Sequence, residues 1–372
     1  MKSPIRILHV VTRMDAAGLE TLIMNFYRNI DRNKVQFDFL THRSDKGFYD
    51  DEILSLGGKI YNVPPINPFH HHTYIKALDD FFDSHNEYRI IHSHINTFSM
   101  YPLRSAMKHR IPVRISHSHI DNAKKSLFKI PFVLYTKSHL KDYATDFFAC
   151  SDMAGKWMFG DSITTNSKYV VLKNAIDTKK YLPQSEIRVK LRKALQCEDK
   201  FVLLHVGRFT EQKNQQFIVK IAKKLSNSYK NILFLLVGEG PLKFKIEKSV
   251  KKEGLDNYIK FLGVRKDINQ LMMAADCFLF PSKYEGLGIV AIESQTANLP
   301  TLVSNVLPEE ANISPLYHAL PLKLDLWCDM ILQSINGFSN KTRERHNYGL
   351  QGGYDIGTVA GWLQNFYLEN WK

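Results

Sequence analysis

A strand, a glycine-containing loop and a helix follow one another in the stretch FLFPSKYEGLGIVAIESQTANLP, residues 278–300. The apolar start is typical of a buried strand, Pro281 ends it, and an apolar helical pattern follows the loop. Glu285 precedes the helix and Glu293 lies about two turns inside it, so we predict that both face one crevice at the end of a sheet. Gly286 and Gly288 let a phosphate approach backbone amides at the helix N-terminus. The stretch therefore predicts a ligand with both hydroxyls and phosphates.

The rest of the chain alternates apolar runs with amphipathic stretches, which predicts parallel, doubly wound sheets. In the second half, strands are predicted at Phe201–Val206, Ile232–Val237, Ile259–Leu262, Cys277–Phe280 and Thr301–Val303, and helices at Asn214–Leu225, Leu242–Glu253, Ile268–Ala275 and Ile289–Ala297. In the first half, strands are predicted at Ile5–Val11, Val35–Leu40, Lys59–Val63, Arg89–His92, Val113–Ser116 and Asp146–Cys150, and helices at Leu19–Asn29, Tyr74–Ser84, Met100–Lys108 and Pro131–Lys141.

The 372 residues divide into two α/β domains of similar size. We predict a Rossmann-like N-terminal domain over residues 1–177 and a second one over residues 178–354. The stretch 355–372 has an apolar helical face, which packs either back on the first domain, as we predict, or on its own domain. Because ligands of such folds bind outside the carboxyl ends of the strands, a cleft between the domains is the expected site.

Composition limits the class of protein and its partners. The net charge of +13 is compatible with nucleic acid, a lipid surface, phosphorylated small molecules or simply a solvated lysine-rich surface. No apolar run reaches the roughly 20 residues of a membrane span, and Ile5–Val11 is too short and polar for a signal peptide, so we expect a cytoplasmic protein. Four scattered cysteines indicate neither a disulfide framework nor a zinc site.

Two cations follow a predicted strand in Gly207-Arg208-Phe-Thr-Glu-Gln-Lys213-Asn214. Arg208 stands at the strand end and Lys213 at the helix start, where Asn214 is a candidate N-cap. Beside free helix amides, such a pair forms a clamp for a diphosphate. Basic residues are common in such loops, but the nearby Glu285–Glu293 stretch favours the clamp.

Other strand-end loops suggest close approach of backbone to a nucleotide. The loop Gly238-Glu-Gly240 begins like a dinucleotide fingerprint, but Lys243 stands where a third glycine is expected, so a nicotinamide or flavin enzyme is disfavoured. We place the donor specificity near Val264 and Arg265. Gly18, after the first strand, is predicted to bring backbone close to a phosphate.

His117-Ser-His119 follows another predicted strand. Hydrogen bonding to a substrate, a structural role and metal binding all remain open, although no third ligand has recognisable spacing. The chain contains no Asp-x-Asp motif, the simplest holder of a magnesium-bound diphosphate. We therefore predict no metal and no cofactor.

Taken together, these motifs resemble retaining glycosyltransferases of the GT-B fold, in the family-four group that builds bacterial capsules, exopolysaccharides and lipid-linked sugars. The resemblance runs nearly end to end and is most specific from Pro281 to Glu293. It is carried by Ala-Gly-Leu-Glu20, His117-Ser-His119, Cys150-Ser-Asp152, Asn174-Ala-Ile-Asp177, Val206-Gly-Arg208 with Lys213-Asn214, Gly238-Glu-Gly240 and residues 281–293.

The resemblance implies a nucleotide diphosphate-sugar on the C-terminal domain and an acceptor on the N-terminal domain. It assigns Arg208 and Lys213 to the diphosphate, Glu293 to the ribose, and Glu285 with the amides of Gly286, Leu287 and Gly288 to the donor sugar. Gly18 is implied to close on the phosphates, and His119, with His117 second, to contact the sugar. Many relatives have two adjacent glycines where this chain has Ala17-Gly18, which limits backbone freedom at one phosphate contact.

We therefore predict a metal-independent, retaining hexosyltransferase that uses a UDP-sugar and a lipid-linked or oligosaccharide acceptor in bacterial surface polysaccharide synthesis. The positive charge suggests peripheral contact with anionic lipid at the inner face of the cell membrane. The alternative within the fold is a nucleotide-sugar 2-epimerase. A basic nucleic-acid-binding protein is less favoured because lysine and arginine are dispersed through both halves.

Overall fold

The computed structural model describes residues 3–15, 17–66, 71–119, 130–337, 343 and 345–371. The chain divides into two compact units. Unit 1 comprises Met1–Ala175 and Asp355–Lys372, and unit 2 comprises Ile176–Tyr354. The boundary between residues 175 and 176 lies two residues before the predicted boundary at 177/178. The boundary between residues 354 and 355 is the predicted one.

Unit 1 is built on a seven-stranded sheet in the order β3-β2-β1-β4-β5-β6-β7, in which every neighbouring pair is parallel. In most strands, apolar residues from successive positions enter separate cores, so the sheet is covered on both faces. The strands are β1 Ile5–Val10, β2 Val35–Thr41, β3 Ile60–Asn62, β4 Ile90–Ser93, β5 Val113–Ser118, β6 Asp146–Ala149 and β7 Tyr169–Val171.

Seven helices of the described residues belong to unit 1. They are α1 Gly18–Asn29, α2 Asp50–Ser55, α3 His71–Ser84, α4 Met100–Lys108, α5 Ile130–Tyr143, α6 Asp152–Phe159 and the C-terminal helix α14 Ile356–Asn370. Helix α14 packs against α1, and its Leu363 and Tyr367 enter the same core as Phe37. The side chain of Gln364 accepts a 2.6 Å hydrogen bond from the backbone N–H of Asp31, which fixes the helix on this unit.

Unit 2 has a six-stranded parallel sheet in the order β10-β9-β8-β11-β12-β13. Its strands are β8 Phe201–Val206, β9 Ile232–Val237, β10 Ile259–Gly263, β11 Cys277–Phe280, β12 Thr301–Ser304 and β13 Tyr317–Leu320. Its helices are α7 Ser185–Ala194, α8 Gln215–Ser226, α9 Lys243–Lys252, α10 Ile268–Ala274, α11 Ile289–Thr296, α12 Leu324–Asn336 and α13 Tyr348–Gln351. The predicted class of two parallel α/β sheets is confirmed.

Most of the elements that the sequence did not predict are short or rich in charged residues, but α12 is a 13-residue helix with a buried face. Strand β13 lies at a sheet edge and contains no fully buried residue. Helix α7 is rich in charged residues and packs on α10. Four further helices, α2, α6, α12 and α13, were also not predicted. Of the helices in the described part of the chain, none combines the length and the apolarity that crossing a bilayer requires.

Candidate active site

The carboxyl ends of four neighbouring strands in unit 2, β10, β9, β8 and β11, carry the loops that the sequence analysis singled out. Three of these loops enclose a pocket with a volume of about 510 Å³. The pocket is lined by Val206, Gly207, Arg208, Val237, Gly238, Glu239, Gly240, Val264, Arg265 and Ile268. Four of the predicted site residues, Arg208, Gly238, Val264 and Arg265, thus lie around one cavity.

Gly238 is required by the contact between two of these loops. Its φ of +131° lies in a region that favours glycine, and a Cβ atom there would lie 2.3 Å from the carbonyl oxygen of Gly207. Its own N–H donates to the carbonyl of Gly263. The absence of a side chain therefore lets three strand ends approach one another at the pocket.

Lys213 and Glu285 form an ion pair, with Nζ 2.6 Å from Oε1. Both side chains are largely enclosed, with exposed fractions of 19% and 8%. The ammonium group also lies 4.6 Å from the centre of the Phe280 ring, and the lysine stem packs beside Gly207 at the pocket. The sequence assigned these two residues to different parts of a donor, whereas the structure joins them directly.

The side chain of Arg208 is exposed, and no acidic partner for it occurs in the described part of the chain. It lines the pocket through the loop that follows β8. Arg265, in contrast, forms a two-pronged ion pair with Asp267 at 2.8 and 2.6 Å. This pairing raises the pKa of Arg265 and lowers that of Asp267. Val264 beside it is 74% exposed, so an apolar surface is available at the pocket rim.

Amide side chains hold the loop after β8 against the loop after β11. Asn214 has the N-cap position of α8, but its backbone is left-handed with φ +55°, and its amide donates to the carbonyl of Pro281 at 3.1 Å. The prediction of a side-chain cap at Asn214 is therefore wrong: the side chain makes no capping hydrogen bond, and the left-handed backbone is not the extended conformation usual at an N-cap. Gln212 donates to the carbonyl of Tyr284, and Gln215 donates to the carbonyl of Arg208.

Glu293 accepts a 2.7 Å hydrogen bond from the hydroxyl of Tyr181. Burial of the carboxylate raises its pKa from 4.5 to about 7, although the bond from Tyr181 opposes this shift. The sequence did not single out Tyr181, which lies 112 residues away along the chain. Glu293 therefore has a different partner from Glu285.

The loop before α11 ends in a glycine that the backbone requires. Gly288 has φ +76° at the N-cap position, and a Cβ there would meet the Phe280 ring at 3.0 Å. The side chain of Leu287 is only 5% exposed and packs with Ile292. Leu287 can therefore offer a ligand its backbone amide but not its side chain, as can the partly exposed Gly286.

In unit 1, Gly18 is the first residue of α1 and is exposed. Ala17 before it has φ −114° and ψ 171°, an extended conformation that any residue adopts. Alanine is therefore unstrained at position 17 in this conformation, and its effect on a phosphate contact stays a prediction. A Cβ at Gly18 would meet nothing within 4 Å, so the protein itself does not require a glycine at this position.

Five histidines from three adjacent strands of unit 1 form one buried cluster. Its members are His9 on β1, His92 and His94 at the end of β4, and His117 and His119 at the end of β5. Three pairs of ring nitrogens lie 3.0 Å apart: His9 with His94, His94 with His119, and His92 with His117. Burial lowers the pKa of all five rings, with values of about 3 for His9 and His119.

The cluster corrects two expectations about His117-Ser-His119. His117 is fully buried and bonded to His92, which disagrees with the expected direct contact between His117 and the sugar. His119 is partly exposed and remains the predicted contact. The third possible metal ligand, which the sequence analysis did not identify, is His94. Ring nitrogens of His94, His117 and His119, one from each, lie within 4.8 Å of one another. The repeated His-Ser-His at 92–94 and 117–119 was the signal in the sequence.

Comparisons with known proteins agree with this architecture. A family model described as Glycosyltransferase Family 4 matches residues 16–180, and one described as Glycosyl transferases group 1 matches residues 187–316. The chain is 32% identical to the putative glycosyltransferase EpsF of Bacillus subtilis, covering 97% of this chain and 96% of EpsF. It is 23% identical to the capsular polysaccharide biosynthesis glycosyltransferase CapH of Staphylococcus aureus, covering 98% and 99%.

Among solved structures, Anabaena HepE in complex with UDP superimposes with a TM-score of 0.81 at 17% identity, covering 98% of this chain and 100% of HepE. At this identity the likeness concerns the fold, which is the GT-B fold of two parallel α/β sheets. The near-complete match to EpsF and the two family models give the same assignment. The chain therefore belongs to the family-four glycosyltransferases of the GT-B fold.

Proposed function

We propose that the chain transfers a hexosyl group, with retention of anomeric configuration, from a UDP-sugar to a hydroxyl of a lipid-linked or oligosaccharide acceptor in bacterial surface polysaccharide synthesis. The observation that carries this proposal is the pocket of unit 2, lined by Arg208 and flanked by the Lys213–Glu285 pair. Solved structures of HepE with UDP and with UDP-glucose, and the capsular role in the name of CapH, support the donor and the process.

Each residue then has a role that its surroundings permit. Arg208 is free to bind the diphosphate as a two-pronged donor, and Lys213 adds a localised charge. Glu293 accepts hydrogen bonds from the ribose hydroxyls. Glu285 and the amides from Gly286 to Gly288 bind the donor sugar, and His119 is a further hydrogen-bonding group for a sugar.

The reaction needs stabilisation of the departing diphosphate more than it needs a nucleophile from the protein. The bond between the anomeric carbon and the diphosphate breaks, and the acceptor hydroxyl forms its new bond on the same face. The diphosphate takes the hydroxyl proton. Positioned cations and amides stabilise the developing negative charge, a contribution worth about 10²–10³ in rate per donor in comparable sites. We propose that these groups make a metal unnecessary for this step.

A transfer assay with a radioactive UDP-hexose and membrane-derived acceptor tests the proposal. Lys213→Ala should lower turnover by about 10²–10³-fold. Lys283→Ala is the matched control, because Lys283 lies in the loop after β11, is half exposed and pairs with the exposed Glu211. Near-native transfer by Lys213→Ala would contradict the clamp. The anomeric proton coupling of the product tests retention, and transfer that persists in EDTA tests metal independence.

The 2-epimerase alternative is not favoured, because the relatives that match end to end are named as transferases. It makes a separate prediction: free UDP and an epimerised sugar appear without any acceptor. Acceptor-dependent release of UDP excludes it. A nucleic-acid-binding role has no support once the chain is placed among the glycosyltransferases.

We also propose peripheral contact with anionic lipid at the inner face of the cell membrane, where a lipid-linked acceptor is found. The net charge of +13 supports attraction to such a surface. Flotation with vesicles of anionic lipid should recover more protein than flotation with neutral vesicles. Equal recovery from both would contradict the proposal.

A further inference from the structure

We infer that His94, His117 and His119 form a binding site for a transition-metal ion, with Zn²⁺ the best-suited ion. Each residue offers one ring nitrogen, and the three nitrogens lie within 4.8 Å of one another. Three imidazoles with one open position are an established ligand set for Zn²⁺. The site differs from the UDP-sugar pocket, since it lies wholly in unit 1.

The strand register explains why the three rings converge. Strands β4 and β5 are parallel neighbours, with Ser93 opposite Ser116, so His94 follows in step with His117. Alternate residues of a strand point to the same face, which places His92 with His94 and His117 with His119. The rings of His117 and His119 have centroids only 3.9 Å apart. The strand register therefore brings the three histidine rings together before any metal binds.

Two buried ring nitrogens of the cluster, Nε2 of His9 and Nε2 of His117, lack a hydrogen-bond partner among the described residues, and the one on His117 belongs to the assigned set. His117 is fully buried, and its Nε2 has no hydrogen-bond partner within the described residues. Its Nδ1 is already bonded to His92, so Nε2 is the nitrogen available for a metal. An unpaired buried polar atom costs free energy, and coordination would remove that cost. The orphaned atom is thus an independent indication of a ligand.

Two of the three ligands also have the outer-shell support that metal-binding histidines use. A ligating histidine normally engages a partner through its other ring nitrogen, which fixes the ring orientation. Here Nδ1 of His117 is held by Nε2 of His92, and Nε2 of His94 is held by Nδ1 of His9, both at 3.0 Å. His92 is in turn bonded to the hydroxyl of Tyr367 at 2.6 Å.

Only a small opening is needed to admit the ion. His94 Nδ1 and His119 Nε2 are now hydrogen-bonded at 3.0 Å. Two nitrogens about 2.0–2.1 Å from a tetrahedral Zn²⁺ lie about 3.3 Å apart. The partly exposed His119 gives the ion access from solvent, whereas the other candidate set, His9, His92 and His94, is completely buried. The set that contains the partly exposed His119 is therefore the one that we assign.

Titration of the full chain with Zn²⁺ in a calorimeter tests the site. We expect one ion per chain. His119→Ala should lower the affinity for Zn²⁺ by about 100-fold or more, because loss of an outer-shell partner already lowers metal affinity about 10–100-fold and loss of a ligand costs more. His139→Ala is the matched control, because among the described residues this histidine of α5 hydrogen-bonds to Ser138 and Tyr135 of its own helix and to no member of the cluster. Its affinity should equal that of the wild type. Undiminished binding by His119→Ala would overturn the assignment.

A second measurement needs no variant. X-ray absorption at the zinc edge of the wild-type complex should show three imidazoles, and Co²⁺ should give the visible bands of a tetrahedral site. One imidazole or none would overturn the site. Inhibition of transfer by Zn²⁺, reversed by EDTA, is the consequence that rests on the proposed function of His119. If Zn²⁺ binds His119 but transfer is unchanged, that role of His119 is contradicted and the metal site stands.

Discussion

Lys213 and Glu285, 72 residues apart in the chain, are joined at 2.6 Å because the loops after β8 and β11 begin on adjacent strands. The positive charge of Lys213 compensates the negative charge of Glu285, whose side chain is only 8% exposed. A bound diphosphate would compete with Glu285 for the same ammonium group. The ion pair thus fixes the positions of both side chains before the donor binds.

We predict that Lys213 and Glu285 are energetically coupled. Lys213→Ala leaves a mostly buried carboxylate without its cation and should lower the free energy of unfolding by about 1–3 kcal/mol. Adding Glu285→Ala should recover part of this loss, giving an interaction energy of about 1–2 kcal/mol in a double-mutant cycle measured by urea unfolding. The exposed pair Lys283–Glu211 is the control and should couple by less than about 1 kcal/mol. Additive losses at Lys213 and Glu285 would contradict the coupling.

The contrast between these pairs shows what the sequence can and cannot predict. Apolar runs located β8, β9 and β11 to the residue, because burial on both faces leaves a continuous pattern. The glycines and cations of the strand-end loops were also recognised. The partnership of Lys213 with Glu285 was not, since it depends on the spatial order β9-β8-β11, which no local pattern encodes.

Other contacts depend on register in the same way. The two His-Ser-His motifs are visible in the sequence, but only the alignment of Ser93 with Ser116 places His94 beside His117. Tyr181 reaches Glu293 from a short 3₁₀ helix, Thr178–Tyr181, that has no apolar period of its own. The sequence therefore predicts which residues stand at the strand ends, and the fold decides which of them meet.

Glu293 should make stability depend on pH. Its folded-state pKa of about 7 lies above its ordinary value of 4.5, so between these values the folded chain binds more protons than the unfolded chain. The free energy of unfolding should therefore fall as pH rises from about 4.5 to 7. Relative to Glu293→Gln, the wild type should lose about 1–3 kcal/mol between pH 5 and pH 8, because one pKa unit corresponds to about 1.4 kcal/mol at most.

Urea unfolding at several pH values checks this prediction. The control is Glu186→Gln, because Glu186 is exposed in the first turn of α7. Its stability should follow that of the wild type at every pH. A wild type and a Glu293→Gln variant with parallel pH profiles would show that Glu293 is not titrating in this range.

Gly288→Ala should destabilise unit 2. A left-handed backbone costs a non-glycine residue about 1–2 kcal/mol, and the new methyl group would press on Phe280 and Leu307 at 3.0 and 3.1 Å. We expect a loss of about 2 kcal/mol or more in urea unfolding, together with weaker UDP binding in a calorimeter. Unchanged stability would mean that α11 can begin without this glycine.

Gly18→Ala should separate folding from function. A methyl group there meets nothing within 4 Å, and alanine favours a helix start more than glycine does, so stability should change by no more than about 0.5 kcal/mol. If donor phosphates approach this backbone, as the sequence predicts, transfer should nevertheless fall about tenfold or more. A variant with native stability and native kcat/KM would remove Gly18 from the site.

Asp276→Asn should be the most damaging single substitution in unit 2. Asp276 is 4% exposed, and its carboxylate accepts from Arg188 at 2.5 Å, from Arg192 at 2.9 Å and from the backbone of Val202 at 2.7 Å. Arg343 is buried in the same region, where burial and the charge of Arg188 lower its pKa to about 10. Without the negative charge, the guanidinium groups of Arg188 and Arg192 repel each other. The NH₂ group of the new Asn side chain would also point its N–H donors at the N–H donors of these arginines.

Loss of one partner from a buried charge cluster costs about 3–5 kcal/mol, so Asp276→Asn should lower the urea midpoint far more than any variant above. Asp256→Asn, at an exposed position of the same unit, should change stability by less than about 0.5 kcal/mol. Replacing Asp276 together with Arg192 should be less harmful than Asp276→Asn alone, because one stranded cation is removed. Equal loss in the single and double variants would show that a stranded charge on Arg192 is not the cause of the destabilisation.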